Sequence, residues 1–137
     1  MSKEKQKNLQ QKYVEMQMVG QQMQSLQKQF QLTEQQILEL NIAMQAIEDI
    51  SKTKQGTEIL VPLASGIFIK GQLKDGKNFI VNVGSNTAVP KTSEDSKKLL
   101  NEQKKEIRKV QANLNNEMQK LGQKALLLEK ELAELSK

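Results

Sequence analysis

The sequence predicts a mainly α chain with a small β part: a long antiparallel coiled-coil hairpin with two β-hairpins between its helices. Three observations predict it. Two long stretches rich in Gln, Lys, Glu, Met and Leu carry apolar residues every seven positions. A short Ile- and Val-rich stretch lies between them and holds both prolines of the chain. Aromatic residues are scarce, one Tyr and three Phe in 137 residues, which suits a buried seam better than a three-dimensional core.

The first arm runs from about Lys3 to Lys54. Steps of seven from Leu9 reach Met16, Met23, Phe30, Ile37 and Met44, all apolar. The companion positions are Lys12, Val19, Leu26, Thr33, Leu40 and Ile47, of which Lys12 and Thr33 alone are polar. Such a seam sustained over many turns marks a coiled coil, and about 50 helical residues reach about 75 Å. Gly56 after "SKTKQ" reads as the helix stop.

The middle divides into four strand candidates. Ile59, Leu60, Val61, Pro62 and Leu63 are apolar on both faces, as a strand covered on both sides is. Ile67, Ile69 and Leu73 alternate with Phe68, Lys70 and Gln72; Phe79, Val81 and Val83 alternate with Ile80 and Asn82; Thr87 to Pro90, including Val89, closes the set. "ASG" at 64–66, "DG" at 75–76 and "GSN" at 84–86 supply the turns. The prolines belong at strand ends or edges, where no ladder donor is needed. Hairpins this small are marginal alone and leave open edges and apolar faces, so the segment reads as an assembly platform covered by other subunits.

The last arm begins at "TSEDSKKLL", with Thr92 as N-cap and Asp95 three residues on. Leu100, Ile107, Leu114, Leu121, Leu128 and Leu135 stand seven apart. Its companion slot is polar early, at Lys104 and Gln111, and apolar later, at Met118, Ala125 and Leu132. Folding the arms back on each other, with Thr53 opposite Ser93, sets Leu9 near Lys137 and Met44 near Glu102. Leu9, Tyr13, Met16, Leu128, Leu132 and Leu135 then become neighbours at the far tip. Gly20 and Gly122 fall in one zone of the helix pair. Close helix approach accounts for them most simply, and a softer zone that lets the tip open is the functional alternative. The whole reads as one domain over 1–137: an N-terminal helix to residue 55, hairpins over 56–92 and a C-terminal helix over 93–137.

Absences exclude chemistry. Without His or Cys there are no imidazole acids or bases, thiol nucleophiles or disulfides, and an enzyme is not expected. "DGKN" lacks the acidic ligands calcium requires, and "VGSN" lacks the pattern of a phosphate loop. No metal or cofactor is implied. The net charge of +5 is dispersed without interleaved aromatics, which argues against nucleic acid. No apolar run is long enough to span a bilayer, and the polar first residues lack the apolar region of a secretory signal; a soluble, cytoplasmic protein is the expectation.

"ILVPLASGIFIKGQLKD" followed by "VNVGSNTAVPKTSEDSKKLL" resembles the prefoldin family, and within it the α class: the archaeal α subunit and the eukaryotic subunit numbered five. Val61-Pro62-Leu63 before a small-residue turn, Lys70 to Leu73, and Val83-Gly84-Ser85 carry the likeness, and two hairpins instead of one favour α over β. Ala64 stands where the family commonly has Gly, and the arms are Gln-rich with a single arginine, Arg108. The resemblance implies a hexamer of two α and four β-type subunits whose hairpins form a β-barrel body. It implies an ATP-independent holdase that captures unfolded polypeptides at coiled-coil tips and delivers them to a group II chaperonin. The six tip residues become client contacts. The hairpin residues Ile59, Leu60, Val61, Ile67, Phe68, Ile69, Phe79, Ile80, Val81, Val83 and Val89 become assembly contacts. The alternative from another class is a structural coiled-coil scaffold or tether that binds no client.

Overall fold

The computed structural model describes residues 2–137. Its elements are α1 (Lys3–Ser51), β1 (Glu58–Ala64), β2 (Ile67–Gln72), β3 (Asn78–Asn82), β4 (Ala88–Thr92) and α2 (Ser93–Leu135). Two compact units divide the chain. The first holds α1 up to Gln36 together with Glu106–Lys137; the second is Ile37–Lys105.

In the first unit the two helical segments run antiparallel, with Lys12 Nζ 2.6 Å from a Glu131 carboxylate oxygen. Their apolar stripe is closed between them. Val19, Leu114 and Leu128 are buried, and Leu9, Met16, Met23, Leu26, Phe30, Met118, Leu121, Leu132 and Leu135 are half-buried. The two polar seam positions obey the same periodicity. Thr33 is buried and donates its hydroxyl to the Phe30 carbonyl at 2.5 Å, so its polar group is met within its own helix. Lys12 lies half-buried and extends its ammonium to Glu131. The expected register places Glu134 opposite Lys12, and the observed partner comes three residues earlier.

The second unit pairs the other ends of the helices. Lys104 Nζ donates to Asn41 Oδ1 at 2.8 Å, and Lys97 is ion-paired with Glu48, within one residue of the expected register. Ile37 is buried in this seam. Helix α1 stops three residues earlier than the sequence predicts. Its last turn tightens, with the Lys52 and Thr53 N–H groups reaching the Asp49 and Ile50 carbonyls. Gly56 is therefore not the residue that ends the helix. At φ +86° it turns the chain so that its N–H meets the Leu73 carbonyl at 2.6 Å, while the Leu73 N–H meets the Thr57 carbonyl at 2.9 Å. Helix α2 starts as expected: Thr92 Oγ1 accepts the Asp95 N–H at 3.1 Å.

Two separate two-stranded antiparallel sheets follow from the turn residues. In the first, Val61 faces Ile69 and Pro62 faces Phe68, and a bulge between Pro62 and Ala64 ends the regular ladder before Gly66 at φ +77°. In the second, Ile80 faces Pro90 and Val81 faces Val89. Its connection is a two-residue turn with both central residues left-handed, Ser85 at φ 50° and Asn86 at φ 58°, closed by the Thr87 N–H on the Gly84 carbonyl at 2.9 Å. The fourth strand runs to Thr92, two residues past the predicted Pro90.

Candidate functional site

Two surfaces offer unsatisfied apolar area, one in each unit. In the second unit the hairpins expose it on a scale that water does not favour. Leu60, Leu63, Ile67, Phe68, Ile69 and Ile80 are all more than half exposed, with Ile80 at 73%. Val61 and Val83 are exposed as well, and Ile59, Phe79, Val81 and Val89 are half-buried. The cross-strand pairs explain the pattern. Opposite residues share a face, so Val61 and Ile69 lie on one side of the first sheet and Pro62 and Phe68 on the other. The sequence predicts β1 to be covered on both faces; among the described residues Ile59 alone of this strand is half-buried and the rest stand exposed. Each sheet also has two free edges, because each strand finds one partner. Exposed apolar area of this extent is uncommon on a lone domain.

The base of the hairpins is fixed tightly to the helix end. A Cβ on Gly76 meets the Ile50 carbonyl oxygen at 2.6 Å, so only glycine permits this approach. Asp75 beside it accepts the Lys77 N–H and the Asn78 amide, both at 2.8 Å, and the Lys77 bond leads in holding its carboxyl below the ordinary value. The sequence marks "DG" as a turn but gives no sign of this contact.

The six tip residues divide between seam and surface in the first unit. Leu128 is only 3% exposed, whereas Tyr13 is 54% exposed. Leu9, Met16, Leu132 and Leu135 are half-buried. Leu135 joins Asn8, Gln11, Lys12, Glu131 and Glu134 around one surface hollow, and Leu9 and Tyr13 line a second with Val14, Gln6, Gln10 and Gln17. The Glu131 carboxylate beside it raises the pKa of Lys12 above its ordinary value. Outward apolar residues that the seam count passes over stand nearby: Val14 and Met18 on α1, Leu126 and Leu127 on α2. Apolar residues outside both heptad slots are the signal that finds them.

A prefoldin family model, described as a prefoldin subunit, matches residues 19–137. The chain belongs to the prefoldin family. A prefoldin subunit alpha from Thermofilum pendens is 32% identical over 96 residues, covering 70% of this chain and 74% of that protein. Human prefoldin subunit 5 is 36% identical over 55 residues, covering 40% of this chain and 36% of that protein. The matched stretch spans 56% to 63% of three further archaeal relatives named prefoldin subunit alpha or alpha 1. The cryo-EM structure of filamentous PFD from Methanocaldococcus jannaschii shares the fold, with a TM-score of 0.75 at 18% identity over 84% of this chain and 95% of that one. Prefoldin family proteins are chaperone subunits, and α subunits assemble into oligomeric prefoldin complexes in which the β-barrel body arises. Among the described residues no helix is long and apolar enough to cross a membrane.

A Cβ on Gly20 or Gly122 meets nothing within 4 Å. Close helix approach, the expectation for both, is therefore not their reason.

Proposed function

We propose that this chain is the α-type subunit of an ATP-independent holdase, which captures unfolded polypeptides at the end of the first unit and passes them to a group II chaperonin. In this reading two copies join four β-type subunits through the hairpins. Each subunit then offers a small apolar patch around a shared space. Several weak contacts held together gain through effective concentration, and apolar burial, being non-directional, tolerates varied client sequences. The observation that carries the reading is the outward apolar group Tyr13, Val14, Met18, Leu126 and Leu127, which lies off the seam in a unit whose seam is otherwise closed.

The test is truncation within the assembled complex. Removing residues 1–18 and 126–137 is expected to abolish suppression of client aggregation while the complex keeps its size. Undiminished protection by the truncated complex overturns the assignment of the tip. A scaffold with no client function predicts instead that the intact complex fails to hold a denatured test protein.

A further inference from the structure

One flank of the helix pair in the first unit carries a repeat that the seam does not use. A groove of about 430 Å³ opens there, lined by Gln22, Ser25 and Leu26 of α1 and by Glu117, Lys120 and Leu121 of α2. Leu26 and Leu121 are half-buried seam residues; the other four are an exposed rim. Seven residues along a helix return to nearly the same face, so steps of seven from the rim show what continues this flank. From Ser25 they reach Met18 and Leu32, from Glu117 Val110, and from Lys120 Leu127. All four are apolar and stand open, Met18 at 53%, Leu32 at 60%, Val110 at 49% and Leu127 at 58% exposure. Counted from the Lys12–Glu131 contact, Met18 is level with Leu127 and Leu32 with Val110, within two residues. The flank is thus a strip of three levels, apolar at both ends with the groove between. Over the same levels the opposite flank of the seam carries Gln24, Gln27 and Gln31 on α1 and Asn115 and Gln119 on α2. Scattered exposed apolar residues need no explanation; four on one repeat and one flank do.

The size and chemistry of the strip choose its occupant. From Met18 to Leu32 it is about 21 Å long, and at a helix width of about 10 Å it offers about 200 Å². Two copies of this chain held stably through it would need about 800 Å² each. An extended segment finds no edge to pair with, because both helices already satisfy their own backbone hydrogen bonds. The occupant must therefore satisfy its own backbone, which a helix does. About four helical turns match the length, and apolar side chains repeating every seven residues meet the two ends and the Leu26–Leu121 floor together. The rim favours no single charge: Glu117 and Lys120 are of opposite sign, and Gln22 and Ser25 are neutral.

We infer that this flank seats amphipathic helical segments of an unfolded polypeptide, laid along the closed helix pair from Met18–Leu127 to Leu32–Val110. The inference rests on the holding function proposed above and names the class of segment held: about 14 residues with an apolar side chain every seven. It also carries the seat inward along one side, since Leu32 and Val110 lie outside the outward group on which that proposal stands.

Two measurements on the assembled complex test it. The first is fluorescence anisotropy with a labelled peptide of about 18 residues, carrying leucine at both heptad seam positions and Glu, Lys and Gln elsewhere. Leu32→Gln with Val110→Gln is expected to weaken its binding about tenfold or more. Leu38→Gln with Ile42→Gln, an equally exposed apolar pair in the second unit, is expected to change it less than about twofold. Glutamine suits an exposed helical position, so both variants keep the thermal midpoint of the parent. Equal loss in the two variants, no loss in either, or equal binding of a scrambled peptide overturns the seat. The second measurement is suppression of aggregation of a denatured all-helical protein, expected to fall about threefold or more in the Leu32–Val110 variant. Peptide binding lost with holding unchanged gives the flank to a helix of a folded partner, and a complex whose mass halves in the variant gives it to a second copy; either overturns the client seat. If the parent complex holds no denatured protein, the holding function falls and the seat with it; if the parent holds and the variant holds equally, the seat alone falls.

Discussion

The helix pair of the first unit and the hairpins of the second treat apolar residues in opposite ways. Every heptad position from Leu9 to Thr33, and from Ile107 to Leu135, is at least half-buried. In the hairpins, residues of equal hydrophobicity such as Leu60, Phe68 and Ile80 stand open. The difference lies in what each structure needs from a neighbour. A helix meets its own backbone hydrogen bonds and asks only for one apolar partner, which the other arm of the same chain supplies. A strand needs a neighbour on each edge and cover on its apolar faces, and this chain supplies each strand with a single partner. Self-sufficiency in one unit and dependence in the other follow from the geometry of hydrogen bonding.

The most severe test of that contrast sets Leu128 against Ile80. Leu128→Ala removes a buried seam residue and is expected to cost about 2–5 kcal/mol in urea or thermal unfolding of the isolated chain. Ile80→Ser changes a residue at 73% exposure and is expected to move the same measurement by no more than about 0.5 kcal/mol. On the function proposed above, its effect is expected in assembly, as a fall in the mass of the complex formed with β-type subunits. Equal destabilisation of the isolated chain by both substitutions breaks the contrast, because the hairpin faces then contribute to the chain's own core.

The seam was legible because its physics is periodic. Seven-residue spacing located even Lys12 and Thr33, two polar residues in covered positions, since a helix buries whatever occupies the inner face. Turn chemistry was legible for the same local reason at Gly66 and at Ser85-Asn86. Features set by distance through space were not. The antiparallel arrangement followed from the two arms, but the observed partner of Lys12 depends on how side chains interlock and lies three residues from the expected one. Gly20 and Gly122 look like close-approach residues in sequence, and the glycine that is in fact confined, Gly76, sits in an ordinary turn signal. The off-seam apolar residues Val14, Met18, Leu126 and Leu127 were visible in the sequence but carried no weight beside a stripe that already accounted for the folding.

That exchange of roles among glycines sharpens the contrast at intermediate scale. Gly76→Ala forces a Cβ to within 2.6 Å of the Ile50 carbonyl, a backbone atom that cannot rotate away. The helix end or the hairpin base must shift, at an expected cost of about 1–3 kcal/mol in the unfolding midpoint of the isolated chain. Gly20→Ala and Gly122→Ala meet no atom and are expected to stabilise by about 1 kcal/mol each. The signs should therefore be opposite. Stabilisation by Gly76→Ala would mean that the hairpins are not anchored to the helix end as described.

The smallest expected effect is a pH dependence confined to the second unit. The hydrogen bond from Lys97, followed by that from Lys52, lowers the pKa of Glu48 from its ordinary value of 4.5. A carboxyl more acidic in the folded state binds fewer protons there than when unfolded. Its contribution to stability is thus present above pH 4.5 and is lost as pH falls through the lowered folded value. Glu48 is half-buried beside solvent, which screens such pairs, so the effect on stability is expected to be small. Glu48→Gln is expected to flatten the acid limb of the unfolding midpoint while leaving the Lys12–Glu131 unit unaffected, as followed by amide exchange in residues 3–17. An acid limb as steep in the variant as in the parent assigns the sensitivity to other carboxylates and removes Glu48–Lys97 as a clamp between the helices where they meet the hairpins.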